Sequence, residues 1–386
     1  MPIAVVLAGG ASSRFGSDKL AAAVDQLSLL DHTRAGLPTE FSVLVVGPER
    51  ATSRPVTFTR EQPPGGGPAA ALVAGVRAAL DAEPDAIVVL PGDAPAAGSA
   101  ALTLVAALAE HEVAVGVDVG GRLQPLQLAL RPGAAQRLVE LAGSDGAAGQ
   151  SARRLVAGLN ADRVGLPPDH TFDVDTPDQL LVWRLHTGPA VTEVIEAIAA
   201  RRTAVVGRAF VVAIDGFSGA GKSTLAAALA LRTGGTTIDG DDFYAPSLPG
   251  LGPAERDGMS DAEVAATVID WARLRAEALQ PLRAGRAAHY RPYDWEADDG
   301  RLSSPRRVGP GEVVVVEGVY SARPELADLV DLTVHLDVDP DLRARRLAER
   351  ADDSDWAAFW ERGEQHYFTE IRPPARFDLR LISASR

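Results

Sequence analysis

Short apolar runs rich in β-branched residues alternate with longer segments rich in Ala and Leu along the chain. In the first half, the apolar runs span 3–7, 43–46, 87–90 and 113–117. The segments 69–80 and 100–110 have the composition of helices and lie on either side of one such run. Continuous apolar strands separated by helices are typical of a parallel sheet that is covered on both faces. The pattern therefore predicts an α/β fold.

The same pattern restarts in the second half of the chain. A predicted strand over 210–214 leads into a glycine-rich loop and a predicted helix over 224–232. Later strands are predicted over 313–316 and 332–336. The second half therefore repeats the fold class of the first without repeating its sequence.

The length of 386 residues suits two domains. A Thr-Gly-Pro turn near 187 is a plausible hinge, and the helix predicted over 191–202 belongs to the second half. We therefore predict one domain over 1–186 and another over 187–386.

Composition narrows the classes of function. A net charge of −14 argues against a nucleic-acid partner, because phosphate backbones need a basic surface. The absence of cysteine removes disulfides, thiolate zinc sites and cysteine nucleophiles. The N-terminus has no basic segment before its apolar run, and no uncharged apolar stretch has the length of a bilayer. We predict a cytoplasmic protein with no membrane partner, whose partners are small molecules.

Lysine usage is the most informative feature of the composition. Of the 38 lysines and arginines, only Lys19 and Lys222 are lysines. A compact ammonium group can reach one phosphate oxygen in a tight loop, where a planar guanidinium does not replace it. Both lysines lie in glycine-rich loops that follow predicted strands. This placement predicts two phosphate-binding loops.

The first glycine-rich loop ends at Lys19 and has the sequence Leu-Ala-Gly-Gly-Ala-Ser-Ser-Arg-Phe-Gly-Ser-Asp-Lys. Glycines let the backbone approach a ligand closely, and a helix predicted to start near Ser17 would add the positive end of its dipole. Arg14 and Lys19 would neutralise phosphate charge. The predicted nucleotide contacts of this loop are Leu7, Ala8, Gly9, Gly10 and Gly16.

These residues resemble the MobA-like nucleotidyltransferases, the family of molybdenum-cofactor guanylyltransferase, and the resemblance extends to about residue 186. Residues 62–68 are similar to the second glycine-proline loop of that family, which implies that Gly67 lies near the base and ribose. Residues 90–95 resemble the acidic turn after a strand, which implies that Asp93 holds Mg²⁺. Residues 124–126, Gln-Pro-Leu, resemble a later family motif.

The motif over 172–178 resembles the closing motif of the same family and implies a second metal-side ligand at Asp175. Guanylyltransferases usually carry Asn at that position, whereas the related cytidylyltransferases carry Asp. The implied reaction is Mg²⁺-dependent transfer of a nucleotidyl group from GTP, or from CTP, to a phosphorylated acceptor such as molybdopterin. From the residues alone, Asp93 could also be a turn residue, and Asp173 or Asp175 could cap a helix before Pro177.

The second glycine-rich loop, 216–223, has the sequence Gly-Phe-Ser-Gly-Ala-Gly-Lys-Ser and fits the P-loop pattern G-x-x-x-x-G-K-S/T between a strand and a helix. Lys222 would reach the β- and γ-phosphate oxygens of ATP, and Ser223 would ligate Mg²⁺. The other predicted contacts are Gly216, Gly219, Ala220, Gly221 and Thr224. The predicted fold class is thus two three-layer α/β domains, a Rossmann-like nucleotidyltransferase followed by a P-loop NTPase.

Residues 208–383 resemble the uridine kinase family in this loop and in three later motifs, Asp-Gly-Asp-Asp-Phe-Tyr, Tyr-Arg-Pro-Tyr-Asp-Trp and Val-Glu-Gly. The resemblance implies that Asp241 is the base that accepts the proton of the substrate hydroxyl, and that Glu317 lies on the Mg²⁺ side. It implies an acceptor pocket lined by Tyr244, Tyr293 and Trp295. It also implies a lid helix that carries Arg343, Arg345, Arg346 and Arg350, of which Arg346 is the predicted nucleotide contact.

Several readings stay open at this stage. The first domain could act on another phosphorylated acceptor, and the P-loop domain could be a regulatory nucleotide-binding adaptor rather than a kinase of a nucleoside-like alcohol. From the residues alone, Asp241 or Asp242 could be a turn residue, and Tyr293 and Trp295 could be core aromatics. The stripe of aromatic residues over 355–367 is expected to be helix packing rather than a binding site.

Overall fold

The computed structural model describes residues 1–10, 15–143, 145–202, 207–350 and 354–383. The chain divides into two compact units, Met1–Leu181 and Val182–Arg386. This division falls a few residues before the boundary predicted near 187. Among the described residues, no helix combines the length and the apolar character that crossing a bilayer requires.

The first unit is built on one seven-stranded sheet. Its strands are β1 Ile3–Leu7, β4 Ser42–Val46, β5 Thr57–Thr59, β6 Ile87–Pro91, β7 Val113–Val117, β8 Leu123–Leu130 and β9 Asp162–Gly165, and a separate hairpin consists of β2 Ala23–Val24 and β3 Leu27–Ser28. The order across the sheet is β5-β4-β1-β6-β8-β7-β9. Its helices are α1 Leu29–Ala35, α2 Pro68–Leu80, α3 Ala101–Ala107, α4 Pro132–Leu141 and α5 Ala152–Ala157, and α6 Pro177–His186 crosses the division between the units.

Helices cover both faces of this sheet. Val5 packs in one apolar cluster with residues of α2, α4 and α5, while its neighbours Ala4 and Val6 pack in a second cluster with residues of α1 and α3. Successive side chains of a strand point to opposite faces, so a strand in the middle layer needs apolar residues at every position. The three-layer α/β architecture predicted from the continuous apolar runs is confirmed.

Strand β8 departs from the predicted parallel sheet. It runs antiparallel to both β6 and β7. The tight turn between β7 and β8 explains this, because the Asp118 N–H donates to the carbonyl of Arg122 at 3.0 Å and Gly121 adopts φ +76°. A turn this short joins only antiparallel neighbours.

The second unit has a five-stranded parallel sheet in the order β11-β14-β10-β15-β16. The strands are β10 Phe210–Asp215, β11 Thr236–Asp239, β14 Val313–Glu317, β15 Leu332–Asp337 and β16 Leu379–Ile382, with a separate antiparallel pair β12 Ala288–Tyr290 and β13 Arg306–Val308. The helices are α7 Pro189–Arg202, α8 Lys222–Thr233, α9 Pro253–Gly258, α10 Asp261–Thr267, α11 Trp271–Arg273, α12 Gln280–Arg283, α13 Pro340–Arg350 and α14 Ser354–His366. A π-helical segment, Leu274–Leu279, joins α11 to α12, and a second one, Tyr367–Ile371, follows α14.

Asp331 anchors the central strand of the second unit. Its carboxylate accepts two hydrogen bonds from the Arg208 guanidinium, at 2.7 and 2.6 Å, and one from the Val211 N–H at 2.9 Å. Burial alone would raise the pKa of Asp331, but the hydrogen bonds from Arg208 and Val211 outweigh it, so the pKa is lowered. The folded state therefore favours the ionised form of the Asp331 carboxylate.

We expect Asp331→Asn to lower the free energy of unfolding by about 1–3 kcal/mol, because a partly buried guanidinium and a strand N–H lose their charged acceptor. A group with a lowered folded-state pKa stabilises the fold above its unfolded-state pKa, and this contribution is lost as the pH falls through the folded-state value. Urea titrations at several pH values would show a difference between wild type and variant that shrinks in acid.

The matched control is Asp328→Asn. Asp328 pairs with Arg275 at 2.6 Å, but its side chain is 62% exposed. Exposed ion pairs contribute little, so the control should unfold close to wild type. Equal stability of Asp331→Asn and wild type at neutral pH would contradict the anchoring role.

Candidate active sites

The ammonium group of Lys19 lies between two carboxylates in the first unit. Its Nζ atom is 2.6 Å from Oδ2 of Asp93 and 2.6 Å from Oδ1 of Asp175. Burial lowers the pKa of Lys19, but the two carboxylates outweigh it and the pKa is raised, so the group stays charged. Asp93 and Asp175, which follow Lys19 by 74 and 156 positions in the sequence, therefore both meet it in the fold.

Strand ends bring these residues together. Asp93 follows the end of β6, which lies beside β1 in the parallel part of the sheet. The carbonyl oxygen of Asp93 accepts a hydrogen bond from the Val174 N–H at 2.9 Å, which ties the acidic turn to the segment that carries Asp175. Ligand sites of open α/β sheets form at the carboxyl ends of parallel strands in this way.

Asp175 does not cap the helix that begins at Pro177. The Gln179 N–H donates to the Thr176 hydroxyl at 3.2 Å, and the Gln179 amide oxygen accepts from the N–H groups of Asp175 and Thr176. Thr176 and Gln179 thus satisfy the helix start. The carboxylate of Asp175 is left to contact Lys19.

The surroundings of Asp173 show that this end of the sheet concentrates negative charge. Burial raises the pKa of Asp173 to about 7, and the charges of Asp93 and Asp175 add to the shift. Carboxylates held this close fit a hard divalent cation with oxygen ligands, and Mg²⁺ is commonly held by only one or two carboxylates together with phosphate. Within the described ranges, no three His, Asp or Glu side chains form a complete metal cage.

The first glycine-rich loop begins as predicted and then departs from the prediction. Ala8 is buried, and its N–H donates to the Val46 carbonyl at 2.8 Å, while Gly9 and Gly10 are exposed. Gly10 and Gly16 both adopt positive φ. Arg14 lies outside the described residues.

No α-helix starts near Ser17, so that expectation is wrong. The chain forms only a 3₁₀ turn, Lys19–Ala21, capped by Asp18, and then enters the β2–β3 hairpin. Asp25 and Gln26 turn this hairpin with positive φ, and the next α-helix along the chain is α1. A dipole from a helix after this loop is therefore not available to a phosphate.

Sequence reasoning missed two residues that brace this loop. Arg50 donates to the Ala8 carbonyl at 2.9 Å and to Asp18 at 2.7 Å. Buried Glu61 accepts from the Gly65 N–H at 2.9 Å and so holds the second glycine-proline loop. That loop leads through Gly67, at φ +91°, into α2. Both residues lie in irregular segments that have no distinctive pattern in the sequence.

The P-loop of the second unit has the predicted strand-loop-helix context. Gly216 adopts φ +151°, and a side chain there would collide with the Leu336 carbonyl, so only glycine fits. Gly221 adopts φ +95° and precedes α8, whose first turn contains Lys222, Ser223 and Thr224. The N–H groups in the first turn of a helix suit a phosphate. The loop also includes Gly219, with positive φ, and buried Ala220.

Two acidic residues face each other at the ends of neighbouring strands beside the P-loop. Asp239 ends β11 and lies in register with Glu317, which ends β14. Burial raises the pKa of Glu317 to about 8, with the charge of Asp239 adding to the shift and a hydrogen bond with Ser223 opposing it. Glu317 and Ser223 are therefore adjacent, and their oxygen atoms fit Mg²⁺.

Asp215, which no pattern singled out, holds the P-loop to the rest of the unit. Its fully buried carboxylate accepts from the N–H groups of Gly216 at 2.8 Å and Ala322 at 3.0 Å, and from the Tyr367 hydroxyl at 2.8 Å. The N–H of Tyr320, a residue with φ +74°, also donates to it. Burial raises the pKa of Asp215 to about 6 in spite of these donors.

Asp241 and Asp242, which the sequence did not separate, have different surroundings. Asp242 is buried and accepts from the Tyr290 hydroxyl at 2.8 Å and from Arg306 at 2.6 Å. Asp241 is exposed and lines a cavity of about 380 Å³ beside the P-loop. Only Asp241 is therefore placed to meet a small substrate.

The predicted aromatic residues divide between this cavity and the core. Tyr244 and Trp295 line the cavity. Tyr293 does not, because it is 2% exposed and its hydroxyl donates to Asp298 at 2.7 Å, so its assignment to the pocket wall is wrong. It packs edge-on behind Tyr244 and Trp295, with ring centroids 5.0 and 4.7 Å away.

Helix α14 contributes to the cavity, although its aromatic stripe was expected only to pack. Phe359 and Tyr367 are buried as expected, but Trp360 lines the cavity and donates its indole N–H to the Tyr244 hydroxyl at 3.3 Å. Glu364 accepts from the Ser218 N–H at 3.1 Å and so joins this helix to the P-loop.

The arginines of α13 do not form one row. Arg343 donates to the Ser218 carbonyl at 3.0 Å, and Arg346 donates to the carbonyls of Gly219 and Ala220 at 3.0 and 3.1 Å. Arg345 is exposed, and the side chain of Arg350 lies outside the described part of the chain. Two of the four thus brace the P-loop through its carbonyl groups.

Curated relatives resemble this chain at modest identity. A uridine kinase from Deinococcus deserti is 29% identical over 170 residues, which cover 43% of this chain and 79% of that protein. A phosphoribulokinase from Synechocystis is 30% identical over 157 residues, covering 38% of this chain and 45% of that protein. Uridine kinase-like protein 3 of Arabidopsis thaliana is 32% identical over 73 residues, 19% of this chain and 16% of that protein. The match thus spans less than half of the length of each of the latter two relatives.

Two solved structures are each similar to about half of the chain. A possible uridine kinase from Bacillus stearothermophilus matches with a TM-score of 0.38 and 23% identity, covering 50% of this chain and 97% of that one. Molybdopterin-guanine dinucleotide biosynthesis protein A from Archaeoglobus fulgidus matches with a TM-score of 0.37 and 20% identity, covering 47% of this chain and 95% of that one.

Two family models match the chain, one in each unit. The MobA-like NTP transferase domain matches residues 4–164, and the Phosphoribulokinase / Uridine kinase family matches residues 211–354. The protein therefore joins a MobA-like NTP transferase domain to a domain of the phosphoribulokinase and uridine kinase family.

Proposed function

We propose that this protein is a bifunctional nucleotide-dependent transferase with one phosphate-transfer reaction in each unit. The first unit transfers a nucleotidyl group from GTP, or from CTP, to a small phosphorylated acceptor, for which molybdopterin is the leading candidate. The second unit transfers the γ-phosphate of ATP to the hydroxyl of a small molecule. The two family matches support both reaction classes.

The contact of Lys19 with Asp93 and Asp175 is the observation that supports the first reaction. A phosphate oxygen of the acceptor attacks the α-phosphorus of the nucleotide, and the bond to the pyrophosphate oxygen breaks. Asp93 and Asp175 would hold Mg²⁺, which supplies positive charge to the phosphate oxygens when bound. The ammonium of Lys19 then moves from its carboxylate partners to the phosphates and stabilises the charge that develops on them.

The position of Asp241 is the observation that supports the second reaction. Its carboxylate lines the cavity beside the P-loop, where it can accept the proton of a substrate hydroxyl. Lys222 would bind the β- and γ-phosphates, and Ser223 and Glu317 would hold Mg²⁺. An adaptor that only binds nucleotide needs no such base in a cavity beside the P-loop.

We expect Asp93→Asn to reduce pyrophosphate release from GTP and CTP roughly a hundredfold to a thousandfold, because the metal-side anion is lost. Lys19→Arg should not recover the rate that Lys19→Ala loses, since a planar guanidinium does not replace a compact ammonium group that must reach one phosphate oxygen in a tight loop. Two properties are measured. Pyrophosphate release is followed with molybdopterin as the acceptor, and binding of the magnesium nucleotide is measured separately because it needs no acceptor.

The surface variant Asp81→Asn is the control and should behave as wild type, because Asp81 lies exposed at the end of α2. Wild-type nucleotide binding and pyrophosphate release in Asp93→Asn would contradict the first half of the proposal.

We expect Asp241→Asn to lower kcat for ADP formation with an accepted alcohol by roughly two to four orders of magnitude, while ATP binding stays near wild type. The reason is that the amide cannot accept the hydroxyl proton. Asp242→Asn should instead lower the free energy of unfolding, because Tyr290 and Arg306 lose their acceptor.

The exposed residue Asp257 offers the matched control Asp257→Asn, which should change neither property. Full turnover by Asp241→Asn would refute the assignment of the base, and γ-phosphate transfer to water alone in the wild type would favour the adaptor.

A further inference from the structure

The cavity beside the P-loop carries an excess of negative charge. Four carboxylates line it, and Arg343 is the one cation among its described lining residues. The carboxylates belong to Asp239, Asp241, Glu361 and Glu364. A cleft lined by one sign of charge attracts ligands of the opposite sign.

The charge of Arg343 is already balanced within the protein. Its guanidinium is 3.0 Å from Glu361 and 3.5 Å from Glu364, and its Nε atom donates to the Ser218 carbonyl at 3.0 Å. It therefore offers little to an anionic substrate. An acceptor that carries a phosphate of its own would enter this cavity against the field of the carboxylates.

Aromatic rings also line the cavity. The Tyr244 ring packs against two indoles, with ring centroids 4.9 Å from Trp295 and 6.2 Å from Trp360. The faces of Trp and Tyr rings carry negative electrostatic potential and attract cations, most strongly where water is excluded. Trp295 is 45% exposed although it is large and apolar, so its ring is open to a ligand at the cavity mouth.

From this combination we infer that the acceptor of the second unit is a positively charged alcohol, a small molecule with one hydroxyl and one protonated or quaternary amine. The cation would rest against Tyr244, Trp295 and Trp360. Arg343 balances only one of its two partners, Glu361 and Glu364, so these three residues keep one net negative charge to balance the cation. This inference rests on the proposed kinase function, whose acceptor it specifies.

The reaction then balances with the groups present. The hydroxyl oxygen forms a bond to the γ-phosphorus of ATP, and the bond from that phosphorus to the β–γ bridging oxygen breaks. The hydroxyl proton passes to the carboxylate of Asp241. The products are ADP and an amine that carries a phosphate ester.

The sharpest test compares pairs of ligands that differ only in charge. The probes are choline, ethanolamine and aminopropanol, each paired with an uncharged isostere in which carbon replaces the nitrogen. Calorimetry with the full chain, magnesium and a non-hydrolysable ATP analogue measures binding, and phosphorus NMR with ATP measures transfer. We expect at least one cationic alcohol to bind roughly tenfold or more tightly than its isostere and to become phosphorylated.

Two variants test the location. Trp295→Ala and Glu361→Gln should each raise KM for the cationic alcohol several-fold and leave binding of the ATP analogue unchanged. The control is Glu370→Gln, since Glu370 is exposed and does not line the cavity. Preserved binding of the ATP analogue shows that the variants are folded.

The outcomes separate this inference from the kinase assignment. If uridine or another neutral alcohol is phosphorylated and no cationic alcohol binds better than its isostere, the inference is overturned and the kinase assignment stands. Preferred phosphorylation of a sugar phosphate would also overturn the inference and leave the kinase assignment standing. If the ATP analogue does not bind at all, the proposed kinase function fails first.

Discussion

Each unit places one ammonium group among carboxylates at the ends of sheet strands, and the chemistry of both sites depends on this arrangement. In the first unit, Lys19 is in contact with Asp93 and Asp175. In the second, Lys222 is buried, and its positive charge lowers the pKa of Glu317, which is nevertheless raised overall by burial. When a polyphosphate and its divalent cation bind, phosphate oxygens can take over the contacts of each ammonium group, which for Lys222 is the Phe217 carbonyl at 3.1 Å. The cation can then bind the carboxylates.

The P-loop is held in place by side chains from other elements of the second unit. The buried carboxylate of Asp215 accepts hydrogen bonds from the N–H groups of Gly216 and Ala322 and from the hydroxyl of Tyr367, which follows α14. Arg343 and Glu364 hold Ser218 from opposite elements. The backbone of the P-loop is therefore fixed before a nucleotide binds, which reduces the ordering that binding would otherwise require.

The sheet of each unit could be predicted from the apolar runs, since strands buried on both faces need apolar residues at every position. The main departures come from turns. Strand β8 runs antiparallel because the turn at 118–121 is too short for a crossover, and the chain after Ser17 enters a hairpin instead of a helix. Turn residues contribute little to an apolar pattern, so the pattern carries no information on the direction that the chain takes after them.

The sequence by itself determined where the two proposed phosphate-binding loops lie, because glycines and the two lysines mark them within a few neighbouring residues. Only the tertiary structure decided which acidic and aromatic residues line the candidate site and which lie in the core. It directed Asp241 into the cavity and Asp242 onto Tyr290 and Arg306, and it brought Trp360 into the cavity wall. The physical reason is that a loop motif is a local property of the chain, whereas the environment of a side chain depends on residues that fold against it from other elements.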